Sequence, residues 1–105
     1  MTLALSLARC RRVIGIRVRL GRFEADRIER SISGQLFLVE VRSRPTCKLA
    51  LLSVGRVKRR RLAVMARRLA NVTGESVTVQ VEAVGGRKVV RKVVGVVQPD
   101  AFDHI

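Results

Sequence analysis

Between residues 75 and 84, polar and apolar side chains alternate almost without fault. Val77, Val79, Val81 and Ala83 fall on one side, and Thr78, Gln80 and Glu82 on the other. A period of two is the pattern of a strand with one face buried. Gly85-Gly86 follows at once and suits a two-residue hairpin turn of the primed type, which needs positive φ. The chain returns over residues 87–97 as RKVVRKVVGVV, where β-branched valines favour a strand. Strict alternation there would put Arg91 or Lys92 on the core face, so a bulge is expected. The last third of the chain is thereby committed to a β-hairpin.

Residues 13–20 alternate in the same way. Ile14, Ile16, Val18 and Leu20 share one face and Gly15, Arg17 and Arg19 the other, which predicts a half-buried strand with a basic outer face. Residues 23–33 admit two readings. Ala25, Ile28 and Ile32 have the spacing of a short amphipathic helix that Gly34 would end, and this reading is preferred; the other is a strand ending in a Ser-Gly turn. Residues 35–44 read as a strand with Phe37, Val39 and Val41 inward and Glu40, Arg42 and Arg44 outward. Pro45, which cannot donate to a ladder, closes it. Residues 47–54 are apolar on both faces and are expected as a central strand. Residues 56–72 give the clearest helix, with Leu62, Met65, Ala66, Leu69 and Val72 as its apolar stripe. Ser53 is available to cap its start and Gly74 to form its exit.

The expected order is β-α-β-β-α-β with one added strand. This predicts an α+β domain of the ferredoxin-like (split βαβ) kind: an antiparallel sheet, two helices on one face and an extra C-terminal edge strand. With residues 23–33 as a strand, the alternative is an antiparallel meander with a single packed helix. The chain divides into a basic N-terminal segment over residues 1–12, a single α+β domain over 13–97 and a short acidic tail over 98–105. Its 105 residues suit one domain, and a 48% apolar content, mostly aliphatic, is enough for one core.

Charge decides the expected function. Lys and Arg number 22 against 8 Asp and Glu, a formal net charge of +14. Self-repulsion at that level destabilises a compact chain, and an anionic partner relieves it. Only Lys48, Lys58, Lys88 and Lys92 are lysines. Arginine's planar fork matches phosphate bidentately, although a GC-rich genome would favour arginine as well. The cations form three groups. Arg9, Arg11 and Arg12 lead into Arg17 and Arg19 on the first strand. Lys58, Arg59, Arg60 and Arg61 open the long helix and are continued by Arg67 and Arg68. Arg87, Lys88, Arg91 and Lys92 lie on the last hairpin. Cations in a helix's first turns oppose its dipole, a local cost that a nearby anion would offset.

Other chemistries find little support. Nucleophilic catalysis needs a base beside the nucleophile, and the one histidine, His104, is penultimate. Glu24, Asp26 and Glu29 lie among Arg22, Arg27 and Arg30, the arrangement of a solvated, salt-bridged surface. Gly85-Gly86 is too short for a phosphate loop and opens a strand. Cys10 and Cys47 form no CxxC pair, so neither a zinc site nor a disulfide framework is expected. No enzyme activity, cofactor, metal or small-molecule substrate is therefore expected. The thiols fit a reducing intracellular compartment, cytoplasmic or organellar. The N-terminus has its apolar stretch before its arginines, the reverse of a secretory signal, and its acid-free start is compatible with mitochondrial targeting. No apolar run approaches the roughly 18 residues of a membrane span.

Single-strand readers stack bases on aromatic rings, and here only Phe23, Phe37 and Phe102 are aromatic. RNP, KH, zinc-finger and helix-turn-helix signatures are missing as well. The expected function is therefore non-catalytic binding of the phosphate backbone of structured RNA, as a component of a ribonucleoprotein (ribosome-like) particle. One alternative is a structural subunit of a virion or head-tail assembly that meets neighbouring subunits through its Val-rich last strand. Another is a peripheral membrane-surface binder, which the lack of Trp and Phe on the basic helix disfavours.

Overall fold

The C-terminal hairpin is the part of the expected fold that the computed structural model reproduces most directly, although its two-residue turn is Gly86-Arg87 rather than Gly85-Gly86, with Gly86 at φ +59° and Gly85 still paired with Lys88 in β4. The structure describes residues 10–100; residues 1–9 and 101–105, with Arg9, Phe102, His104 and most of the two terminal segments, lie outside it. The elements are β1 (Arg11–Leu20), β2 (Phe23–Ser31), β3 (Leu36–Arg44), α1 (Cys47–Leu52), α2 (Arg56–Thr73), β4 (Val77–Gly85) and β5 (Lys88–Val97). The fold is α+β: one five-stranded, mostly antiparallel sheet and two helices.

The strands stand in the sheet in chain order, β1-β2-β3-β4-β5. A split βαβ sheet would interleave them, so the ferredoxin-like order is not the one adopted. The meander alternative lies nearer, with two departures. β3 and β4 pair in parallel, from Leu36↔Val77 to Arg44↔Gly85. A parallel pair needs a crossover, and residues 47–54 serve it as helix α1 rather than as the expected central strand. The local sequence explains this: CKLALL has no β-branched residue, and Thr46 caps it, its Oγ1 accepting from Leu49 N–H at 3.2 Å. Ser53 ends α1 rather than starting α2, its hydroxyl donating to the Ala50 carbonyl at 2.6 Å. Gly55 stands at the N-cap of α2, and Gly74, at φ +71°, closes it.

Residues 23–31 form strand β2, against the helix preferred for residues 23–33. The helix-like spacing of Ala25 and Ile28 has a different origin. Both are buried in the core under the helices, yet three residues separate them because the strand is irregular at Asp26. The β2–β3 ladder stops at Arg27↔Val39, and the Asp26 carboxylate accepts the next backbone bond, from Val41 N–H at 2.8 Å. Opposite Asp26 in the β1 register stands Arg17, at φ +52°, and the two are missing from the ladder. The same kink spoils the expected face of β1. Val18 and Leu20 pack into the core, whereas Ile14 and Ile16 are exposed, with a further register shift between Val13 and Gly15.

One layer of the core lies between the sheet and the helices. Leu36, Leu38, Val77, Val79 and Val81 meet Leu62, Met65, Ala66, Leu69 and Ala70, while Leu51 and Val54 extend the layer toward α1. Val72, expected in the stripe, is exposed. The opposite face of the sheet is sealed differently. Phe37, Val39, Thr78, Gln80, Glu29 and Glu82 face away from the helices and are nonetheless buried. Arg11 lies 3.6 Å over the Phe37 ring and donates to Gln80 Oε1 at 2.6 Å and to Glu29 at 3.3 Å. Arg27 bridges Glu29 (2.7 Å) and Glu82 (2.8 Å), and Arg91 reaches Glu82 at 3.0 Å. Regular pairing from the turn sets Arg91 opposite Glu82 on this face and Lys92 opposite Val81 on the helix side, where it is exposed at the sheet edge; the expected bulge falls beyond both, at Val94.

Gly85, the end of β4, sits directly beneath the start of α1. A Cβ there would collide with the backbone of Thr46 and Cys47, which cannot rotate away as a side chain could. Gly85→Ala is expected to destabilise the fold by about 3 kcal/mol, the upper part of the overpacking range. Denaturant unfolding would measure it; a loss under about 0.5 kcal/mol, the size of an ordinary surface substitution, would mean that α1 stands off from β4.

Candidate nucleic-acid interface and a buried carboxylate pair

The three expected basic groups do not stay together as surface. Arg11 is a cover for Phe37, bonded to Glu29 and Gln80 as above, and Arg91 belongs to the same network, so neither is free for a partner. Arg67 pairs with Asp100 at 3.5 Å, and Lys58 with Glu40 at 3.2 Å. Arg12, Arg17, Arg19, Arg59, Arg60, Arg61, Arg68, Arg87, Lys88 and Lys92 remain exposed, without a carboxylate partner among the described residues.

What the fold does assemble is a patch from two elements. The turn between β1 and β2 carries Arg19 and Arg22, joined by a bond from the Arg19 guanidinium to the Arg22 carbonyl. Against that turn lies α2: Arg61 stands 5.6 Å from the Phe23 ring, and the Arg68 guanidinium is the nearest neighbour a side chain at Gly21 would meet. Arg19, Arg22, Arg61 and Arg68 thus converge on one end of the molecule. Gly21, at φ +73°, is the residue that makes this approach possible, since it both takes the left-handed turn and leaves room for Arg68.

The same flank of α2 continues to an acidic site. Lys58 lies one helical turn before Arg61 and so on the same side. There it reaches Glu40 of β3, which is buried at 4% exposure. Glu40 faces the helices with Leu36 and Leu38, the reverse of the outward face expected for it. Both faces of β3 are covered, so alternation along the strand carries no information on exposure. Arg42 Nε lies 3.4 Å from Glu40 Oε2 but is not aligned to donate, and is itself buried without a partner. Glu40 Oε1 has no hydrogen-bond partner at all. Beside it stands Asp26, set there by the irregularity in β2.

Burial pushes the Glu40 carboxyl above its ordinary range, and the nearby Asp26 charge adds to this. Lys58 and Arg42 oppose the rise without cancelling it. Perturbed carboxyls of this kind, with an unfilled lone pair, concentrate at functional sites. Asp26 and Glu40 make a pair, not a cage: among the described residues no three His, Cys, Asp or Glu side chains gather closely enough to hold a metal ion by themselves. Asp26 and Glu29 are likewise not the solvated surface acids expected, since Glu29 is buried and Asp26 half-buried. The sequence carries one trace of this site. Glu40 is the only charge within the run LFLVEV, and a lone acid in an otherwise apolar central strand is rarely placed for stability.

Two buried acids should therefore respond to pH in opposite senses. The folded-state value of Glu40 lies above its unfolded one. Proton binding then favours the fold, a contribution complete below the unfolded value and lost as pH rises through the folded one. Glu40→Gln is expected to raise stability at neutral pH by about 1 kcal/mol and to remove the gain on acidification. For Glu82, burial raises the pKa but bonding to Arg27 and the charge of Arg91 outweigh it, so the net shift is downward. Its contribution is present above the unfolded value and lost as pH falls through the folded one. Glu82→Gln should cost about 2 kcal/mol at neutral pH and nothing in strong acid. Thermal melts of both variants between neutral and acidic pH test the contrast. No protein-family model, curated protein or solved structure matches the chain, so its function is argued from these side chains.

Proposed function

We propose that this protein binds the phosphate backbone of structured RNA as a non-catalytic part of a ribonucleoprotein particle, through the patch formed by Arg19, Arg22, Arg61 and Arg68 and continued by Arg60. The observation that carries this reading is where the acids among the described residues are used. Glu29 and Glu82 are consumed by Arg11, Arg27 and Arg91 on the far face, and Glu75 by Arg30. On α2 only Lys58 and Arg67 meet an acid, Glu40 and Asp100; Arg59, Arg60, Arg61 and Arg68, with Arg87 and Lys88 at the hairpin tip, have no such partner among the described residues. The first turn of α2 has no acid and no side-chain cap, so its free N–H groups and its arginines add to one positive potential. Exposed arginines without aromatic platforms favour phosphates over bases.

Such binding is expected to weaken steeply with salt, by about 0.9 in log K per log salt for each phosphate neutralised. A titration of structured RNA, duplex DNA and heparin over a salt series measures it. Replacing Arg60, Arg61 and Arg68 together by Ala should lower the slope by about 2 to 3. A shallow slope, or equal binding of heparin at equal charge, counts against the reading.

A second reading is favoured by the orphan oxygen of Glu40. Asp26 and Glu40 could hold a divalent cation of the Mg²⁺ type, which is commonly bound by one or two carboxylates and completes its coordination with water and substrate phosphate. A phosphodiester held by Arg61, one helical turn from Lys58, would lie nearest to that site. The cation would lower the pKa of a bound water for attack on phosphorus and stabilise the charge on the leaving oxygen, with Lys58 beside them. Mg²⁺- or Mn²⁺-dependent cleavage of RNA or DNA, abolished by Asp26→Asn and by Glu40→Gln with binding retained, would favour this reading. Binding unaffected by either cation, without cleavage, leaves the non-catalytic one.

A further inference from the structure

The face of the sheet opposite the helices has a regular composition. Two transverse rows cross it, assembled from the register of all five strands. One runs Val13–Glu29–Phe37–Thr78–Val96, the other Ile16–Arg27–Val39–Gln80–Val93. Each row is polar or buried in its middle and ends at both edges in an exposed aliphatic residue. Val13, Ile16, Val93 and Val96 are 46%, 69%, 51% and 58% exposed, and Val89 lies exposed further along β5. Among the described residues no helix covers this face.

Charge sets this face apart as well. Arg11, Arg27 and Arg91 lie against Glu29 and Glu82, three guanidiniums against two carboxylates, for a net of +1. The chain as a whole carries +14. It is therefore a broad surface on which two copies can approach without strong mutual repulsion.

We infer that this face is the interface of a homodimer, sheet packed on sheet. A two-fold axis running along the strands lays β1 of one copy over β5 of the other. Val13 and Ile16 then meet the exposed valines of the second copy's β5, and the two nearly neutral ion networks lie together at the centre. Aligned sheets pack this way at about 10 Å separation. Five strands at about 4.8 Å and nine or ten residues at about 3.3 Å offer roughly 600 Å² per copy, which reaches the lower end of specific interfaces, about 1,200 Å² in total. The contact leaves α2 and the arginine patch outward on both copies, so it does not depend on what that patch binds.

Light scattering on nucleic-acid-free protein, from about 0.1 to about 1 M NaCl, tests the inference. Salt screens the repulsion between two strongly basic chains and strengthens apolar contact, so the mass should rise toward twice 11.7 kDa as salt increases, the opposite trend to that of backbone binding. Ile16→Asp and Val93→Asp should each abolish the dimer while circular dichroism and RNA affinity stay unchanged. Val90→Asp, on the other side of the same strand, should leave it intact. A single-chain mass throughout the salt series up to about 100 µM protein, weaker than a specific dimer would be, overturns the inference, whether residues 1–9 or another partner covers the face. Masses beyond two chains overturn it too. Equal damage from Val90→Asp and Val93→Asp would assign association to the β5 edge and not to the face.

Discussion

The parallel pairing of β3 with β4 is the constraint from which the remaining architecture follows. Nine register pairs, Leu36↔Val77 to Arg44↔Gly85, join strands that cannot be linked by a tight turn. The chain must return along the sheet before β4 begins, and α1 and α2 are that return. Because crossovers lie on one face, the helices bury Leu36, Leu38, Val77, Val79 and Val81, and the opposite face is left to the sheet's own side chains. Gly85 belongs to the same constraint. At the last pair of the ladder the returning chain passes so close that only a residue without Cβ fits.

The two faces then divide the chain's few acids between two tasks. On the open face Glu29 and Glu82 neutralise Arg11, Arg27 and Arg91, making a lid of ion pairs over Phe37 and Val39. Such a lid is less costly than it would be in a dry core, since its guanidiniums keep contact with water and each carboxylate is held from more than one side. On the helix side Glu40 is held by Lys58 alone, with Arg42 near but misaligned. One carboxylate oxygen is left unfilled. The first arrangement stabilises the fold; the second weakens it, in the place where the basic patch begins.

Legibility in the sequence followed burial symmetry. The helix over residues 56–72 and its Gly74 exit were readable because it has one wet face and one dry one; the β4–β5 hairpin was readable from its alternation and glycine pair, although Thr78, Gln80 and Glu82 on its polar face are buried as well. β3 was recognisable as a strand but its faces were not, since Leu36, Leu38 and Glu40 on one side and Phe37 and Val39 on the other are all buried. Residues 47–54 were apolar on both sides and could have been strand or helix. The missing β-branched residues in CKLALL and the Thr46 cap were the available cues. β2 misled through Asp26, whose side chain takes a backbone bond that the ladder would have made and so shifts the strand's phase between Ala25 and Ile28. The basic groups were visible as charge. Their division into free cations and internally paired ones depends on contacts such as Arg11 with Gln80, 69 positions apart, which no local pattern encodes.

The kinks of β1 bear on how such a sheet could grow. β1 is one of the two outer strands, and it is broken by the register shift before Gly15 and by Arg17 in the left-handed region. A strand so bent presents no straight row of amides and carbonyls to an incoming chain. β5, the other border, is interrupted only near Val94. Endless head-to-tail stacking requires two compatible borders, whereas a molecule with one can add a single neighbour and then stop. A single arginine held at positive φ and one extra residue in the first strand thus leave this valine-rich sheet one straight border instead of two.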